Sequence, residues 1–293
     1  MNRFTGWMIA GSTLLVFLAV GTEIAAAQEK SGAMPPPKIL VIGREYTKPG
    51  KAGAAHEKTE SAFVQAMKKA KWPTRYLAVE SLSGMSRALF LTGYDSFAQW
   101  EKDQADGQKN TAFTADIARA WAGDGEMLSD TDGGTFQFSE EFSLRPNVDI
   151  AHMRYFEIGR FVLRPGHDGD WIAIMKLVKG AYEKIPDSHW AMYREVYGNT
   201  NDVYIYFTAL KSGEEIDRGL AEGADFVAAI GADGLKKLSE LSAAAIQETT
   251  SNLFAFNPKM SYPRDEWVKA DPDFWAPKAA AAPAAKKKAA TDN

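Results

Sequence analysis

The chain has 293 residues, 45% of them hydrophobic and 25% charged, enough to build one or two domains with cores of their own. Its 34 basic residues against 38 acidic ones leave a net charge of −4, which speaks against a nucleic-acid partner, since that partner favours a basic face. Cysteine is absent, so disulfides, thiolate nucleophiles and cysteine-held zinc or iron–sulfur sites are excluded.

The chain opens with the layout of a secretory signal. Arg3 supplies the positive start, Gly6 to Gly21 is an uncharged apolar run, and Ala25-Ala26-Ala27 is the small-residue pattern that a signal peptidase requires. The run is shorter than the roughly 20 residues that cross a bilayer. Residues 1–27 are therefore expected to be removed, leaving a protein that is exported, periplasmic or secreted, with no stable membrane insertion after cleavage. At the other end, 276–293 is alanine, proline and lysine with no large apolar side chain, and reads as a disordered tail.

Between these ends one pattern occurs twice. Residues 38–46 are rich in β-branched side chains and read as a strand, which Lys48-Pro49-Gly50 breaks. Residues 53–70 place Phe63, Val64 and Met67 at helical spacing, and Pro73 ends the helix. Strands follow at 75–82 and 87–92, helical segments at 95–103 and 109–122, and a strand through Phe136, Phe138 and Phe142 before Pro146. The second copy repeats the order. A strand at 155–163 breaks at Arg164-Pro165-Gly166, and a helix at 168–184 closes at Pro186. Strands at 189–197 and 203–210, helical segments at 212–222 and 233–249, and a strand from Leu253 to Phe256 complete it. Ile42-Gly43-Arg44 and Pro49-Gly50 recur as Ile158-Gly159-Arg160 and Pro165-Gly166, an offset of 116 residues.

Each copy reads β-α-β-β-α-β with an additional helix, the order of the ferredoxin-like split βαβ unit. The expected fold class is α+β: two tandem ferredoxin-like units, residues 37–146 and 152–263, packed sheet to sheet as an intramolecular α/β barrel. A sheet with helices on one face must bury the other, and its own twin can cover it. A monomer satisfies this, and an exposed sheet edge could still pair two chains into a homodimer.

The openings KILVIGREYTKPG and RYFEIGRFVLRPG resemble the strand and Pro-Gly turn of NIPSNAP-type domains, in the dimeric α/β-barrel superfamily. That resemblance implies a barrel with a cavity. It does not imply one reaction, because the superfamily includes haem-binding peroxidases, chlorite-degrading enzymes, monooxygenases of small aromatic compounds and proteins without known activity.

The candidate ligand-binding residues are Arg44, Glu80, Arg160, His189, Tyr193 and Tyr206. Strand alternation sets Ile42, Arg44 and Tyr46 on one face, and Phe156, Ile158 and Arg160 on the matching face. Two arginines there suit an anionic ligand, or else each pairs with a carboxylate such as Glu80 or Glu195. Tyr193, Tyr204, Tyr206 and His189 give the second copy the more polar aromatic strands, suited to a cavity wall or to ordinary sheet packing.

The four histidines, His56, His152, His167 and His189, show no HExxH and no duplicated ligand, so no metal site is expected. His56 and Glu60, four apart on one helix, read as a solvated face. Haem would need an axial ligand from a helix facing the cavity. Trp267, Phe274 and Trp275 are expected to dock on the chain's own core rather than on a partner.

The function expected from these residues is an exported envelope protein that binds a small, partly apolar ligand in its barrel cavity, without a cofactor. The alternatives are a haem-dependent oxidase or cofactor-free monooxygenase, and a structural or interaction protein whose barrel is filled.

Overall fold

Side-chain alternation decides the architecture. Along the first strand Leu40 and Ile42 are buried on one face, while Val41, Gly43 and Glu45 take the other. Strands of both halves contribute apolar side chains to one shared core, so a closed ring of strands turns an apolar face inward. The computed structural model describes residues 32–198 and 202–276. The expected signal at 1–27, residues 199–201 of the expected turn and residues 277–293 of the expected tail lie outside the described residues.

In chain order the first half holds β1 (Ile39–Thr47), α1 (Ala54–Ala70), β2 (Tyr76–Ser81), β3 (Arg87–Tyr94), α2 (Phe97–Lys109), α3 (Thr111–Asp124) and β4 (Leu128–Leu144). The second holds β5 (Tyr155–Leu163), α4 (Asp168–Tyr182), β6 (Trp190–Tyr197), β7 (Val203–Leu210), α5 (Gly213–Ala221), α6 (Gly223–Ala245) and β8 (Ile246–Phe256), followed by the short α7 (Asp265–Ala270) and α8 (Pro272–Trp275). The strands close in the order β1-β3-β2-β8-β5-β7-β6-β4, with every neighbouring pair antiparallel. Within each half the spatial order is fourth, first, third, second. Two seams join the halves, β2 against β8 and β4 against β6. No helix among the described residues is long and apolar enough to cross a membrane.

The barrel's inside is a packed core. Leu40, Ile42, Leu77, Val79, Phe136, Phe156, Ile158, Tyr193, Phe207, Phe254 and Phe256 fill it from strands of both halves. Eight strands enclose a space about wide enough for side chains to fill. Aromatic rings meet edge-on or tilted, as with Phe156 and Phe256 at 4.7 Å and Tyr193 and Phe207 at 5.8 Å. At one end Trp275 of α8 is buried, donates its indole N–H to the Ala151 carbonyl at 2.9 Å and packs on Phe256, Trp267 and Phe274. The three C-terminal aromatics therefore cap the chain's own core.

Strand ends depart from the sequence expectation where tertiary pairing overrides local signals. β4 begins at Leu128 rather than near Phe136, because LSDTDGG reads as a turn yet lies along β1. Gly133 permits this approach: a Cβ there would stand 2.9 Å from the Ile42 carbonyl oxygen. Likewise Ile246–Asn252 continues β8 along β5 instead of extending a helix to 249. α6 starts earlier than expected and bends at Gly231, whose φ of 72° suits glycine. α2 and α3 part at Asn110, whose side chain accepts from the Phe113 N–H at 3.1 Å and caps α3.

Phe254 is fully buried at the centre of the ring. Replacing it with alanine is expected to cost about 3–5 kcal/mol, the usual loss for a buried Phe. A urea unfolding midpoint that stays at the wild-type value would mean the barrel interior is not the core.

Candidate functional site

The repeated Ile-Gly-Arg motif shapes the outer surface of the ring. Gly43 faces Phe90 across β1 and β3, and Gly159 faces Tyr206 across β5 and β7, the same positions 116 residues apart. A Cβ on Gly159 would come within 1.9 Å of the Tyr206 ring, so the missing side chain is the seat of that ring. There the Tyr206 hydroxyl donates to Glu157 Oε1 at 2.7 Å, and the Ser251 hydroxyl donates to the same oxygen at 2.8 Å. Burial, with the Glu157 charge behind it, pushes the Tyr206 phenol well above its ordinary pKa and keeps it a donor.

This polar group forms part of the wall of a groove of about 770 Å³ between the outer face of the second half's strands and the helices α4, α5 and α6. Small-molecule sites usually span about 300–1,000 Å³. Phe161, Trp171, Met175, Ile216 and Leu238 make the wall mostly apolar, with Glu157, Tyr206 and Ser251 as its hydrogen-bonding patch. Trp171 is anchored between Phe161 at 5.1 Å and Tyr204 at 4.8 Å, which stiffens one side.

Inside the barrel, where ligand space is expected, aromatic side chains pack the core, and among the described residues a cavity of about 140 Å³ opens at one mouth, bordered by Pro35, Pro36, Pro37, Tyr193, His189 and Trp267. The larger volume lies outside the ring, under the helices of the second half.

The six candidate residues fall in five places. Tyr206 and His189 line the groove. Tyr193 points into the barrel, donates to the Pro37 carbonyl at 3.2 Å and lines the mouth with His189. Glu80 lies on the outer face of β2, where it accepts from Asn257 Nδ2 at 2.6 Å. Arg44 pairs with Asp132 across to β4, and Arg160 lies 3.4 Å from Glu248 across to β8. Asp132 and Glu248 are also 116 residues apart, so the duplicated arginines carry duplicated cross-strand partners rather than Glu80 or Glu195. Sequence reading passed over Glu157 and Ser251, whose roles depend on strands that are distant in the chain.

The groove's histidine, His189, places Nδ1 2.8 Å from the Asp187 carbonyl and Nε2 2.9 Å from the Ala209 carbonyl; a neutral imidazole donates to only one of them, so the other nitrogen lies against a carbonyl without a hydrogen bond. In the first half the expected solvated face of His56 and Glu60 is corrected: both are buried against Glu45 and Asp124. Burial opposes charge on His56, yet hydrogen bonding to Asp124 and Glu45 prevails and its pKa is pushed up to about 10. Burial, then the charges of Glu45 and Asp124, push Glu60 up to about 9.

No family model matches the chain, and no curated protein matches it. Among solved structures it is similar to an anthrone oxidase-like protein at 9% identity, over 75% of this chain and 91% of that one, with a TM-score of 0.47. It is similar to a candidate monooxygenase of Fusobacterium nucleatum at 13% identity, over 76% and 94%, with a TM-score of 0.47. It is also similar to a chlorite dismutase mutant of Candidatus Nitrospira defluvii at 10% identity, over 83% and 98%, with a TM-score of 0.45.

Gly159→Ala is expected to drive the Tyr206 ring off its seat and break its bond to Glu157, at a cost of about 1–3 kcal/mol typical of overpacking. Calorimetry reads the loss of stability, and a crystal structure reads the ring. A ring left in place beside the new methyl group would contradict the assignment.

Proposed function

We propose that the chain is an exported protein of two tandem ferredoxin-like units that binds a small, partly apolar, aromatic ligand. The ligand lies in the groove of the second half, not in the barrel. The observation that carries this is the juxtaposition of an apolar groove of about 770 Å³ with the hydrogen-bonded set Glu157, Tyr206 and Ser251. Flat apolar walls take the body of such a ligand, and a few fixed polar atoms orient its hydroxyl or carbonyl. Residues 1–27 serve export, the units occupy 37–146 and 152–263, and the tail 276–293 stays solvated.

A second reading has one observation in its favour. Both donors to Glu157 reach Oε1, and neither engages Oε2. A carboxylate held in this way can take a proton from an activated ring C–H. The carbanion then reduces dioxygen without a cofactor: anthrone plus O₂ gives anthraquinone plus water. In this reading the groove is a cofactor-free oxygenase site.

Titrating tryptophan fluorescence with 2-naphthol tests the first reading. Ser242→Trp, which fills the groove, is expected to weaken binding at least tenfold, whereas Ala191→Leu at the barrel mouth leaves it unchanged. The reverse result would return the site to the barrel. An oxygen electrode with anthrone tests the second reading. Uptake that disappears in Glu157→Gln supports it, and no uptake above the buffer rate removes it.

A further inference from the structure

The first half carries a feature that the groove does not use. Glu45 on β1, His56 and Glu60 on α1, and Asp124 at the end of α3 converge between sheet and helices, at 5%, 0%, 2% and 0% exposure. His56 Nε2 lies 3.0 Å from Glu45 Oε2, 3.5 Å from Asp124 Oδ1 and 4.0 Å from Glu60 Oε1. One oxygen or nitrogen from each residue lies within 4.8 Å of the others. No lysine or arginine pairs with these carboxylates among the described residues. Even with His56 protonated, one positive charge faces three buried carboxylates, and burying unbalanced charge is costly.

Two independent observations point to a ligand rather than to a structural polar network. Glu60 Oε1 is buried, faces His56 Nε2 at 4.0 Å and has no hydrogen-bond partner; Asp124 Oδ2 and the Tyr76 hydroxyl are buried and unpartnered as well. Native interiors leave few such atoms without a reason. The second observation comes from the twin. At the offset of 116 residues Glu45 corresponds to Phe161, and there Phe161, Trp171, Ile174 and Met175 pack between sheet and helix beside the groove. Apolar side chains take the position of Glu45 in the second half, so the fold itself does not call for an acidic cluster.

We propose that Glu45, His56, Glu60 and Asp124 hold a divalent first-row metal ion in a closed structural site that ties α1 and α3 to β1. Around a tetrahedral ion, metal–ligand bonds of about 2.0–2.2 Å separate ligand atoms by roughly 3.3–3.6 Å. Asp124 at 3.5 Å from His56 Nε2 matches this, Glu45 at 3.0 Å lies slightly inside it, and Glu60 at 4.0 Å would draw in by about half an ångström on binding. Three carboxylate oxygens and one imidazole suit manganese, iron or zinc. Four protein ligands with almost no solvent access mark a structural centre, since a catalytic one keeps a position open. The Thr59 hydroxyl, 2.5 Å from Asp124 Oδ1, orients that carboxylate from behind.

The test uses the full chain, stripped with EDTA and then dialysed against Mn²⁺ or Zn²⁺. Elemental analysis is expected to find a single equivalent of ion per chain. At about a hundredfold excess of free ion over its Kd, the melting temperature is expected to rise by roughly 5–10 °C. Glu60→Gln and Asp124→Asn keep the shape but remove a ligand charge, and each is expected to weaken binding more than tenfold, while the exposed Glu101→Gln binds as wild type. Should either variant fail to fold, the wild-type titration and the Mn²⁺ spin-resonance spectrum decide alone. A stripped chain that takes up neither ion, or variants that bind them like wild type, would overturn the proposal.

Discussion

The structure depends on one constraint: two four-stranded sheets, each covered by helices on one side, must remove their other apolar face from water. They do so by closing into a single ring whose interior receives Ile42, Phe136, Phe156, Phe207, Phe254 and their neighbours from both halves. Burial of this kind is worth about 25 cal/mol per Å² of apolar surface, and neither sheet could retain it alone. The seams β2–β8 and β4–β6 follow from it, because closing the ring also pairs edge strands that would otherwise expose unpaired backbone.

Closure uses up the inner face, which leaves the outer faces for anything else the chain does. The two halves, similar in strand order, then differ at the sheet–helix interface. In the second half aromatic residues pack the floor, and the helices α5 and α6 stand off far enough to leave a groove. In the first half the corresponding space is tight and holds four ionisable groups, all buried. One scaffold thus carries an open, mostly apolar surface on one side and a closed, acidic one on the other. A duplicated frame can differ in this way because the ring, not the helical layer, holds the halves together.

The glycines of the repeated motif connect the two levels. Gly43 and Gly159 lie on strands whose inner neighbours build the core, but only the missing side chain of Gly159 seats a ring, that of Tyr206; a Cβ on Gly43 would meet Phe90 Cβ at an ordinary 4.0 Å. In the first half the facing ring is apolar. In the second it carries the hydroxyl that engages Glu157. A single change of ring chemistry, Phe90 to Tyr206 across the repeat, separates a packing contact from part of a candidate binding surface.

Most of the strand and helix order and the apolar faces were legible in the chain itself, because alternation and the 116-residue offset are local properties of the residues. So was the docking of Trp267, Phe274 and Trp275 on the core. The start of β4 was not legible, since the Asp-Gly-Gly stretch becomes a strand only when β1 lies beside it. Nor were Glu157 with Ser251, 94 residues apart, or Asp124 with Thr59, 65 apart. Sequence distance hides such pairs: what brings them together is barrel closure and helix docking, and these are decided by burial summed over the whole molecule rather than by any segment's own preference.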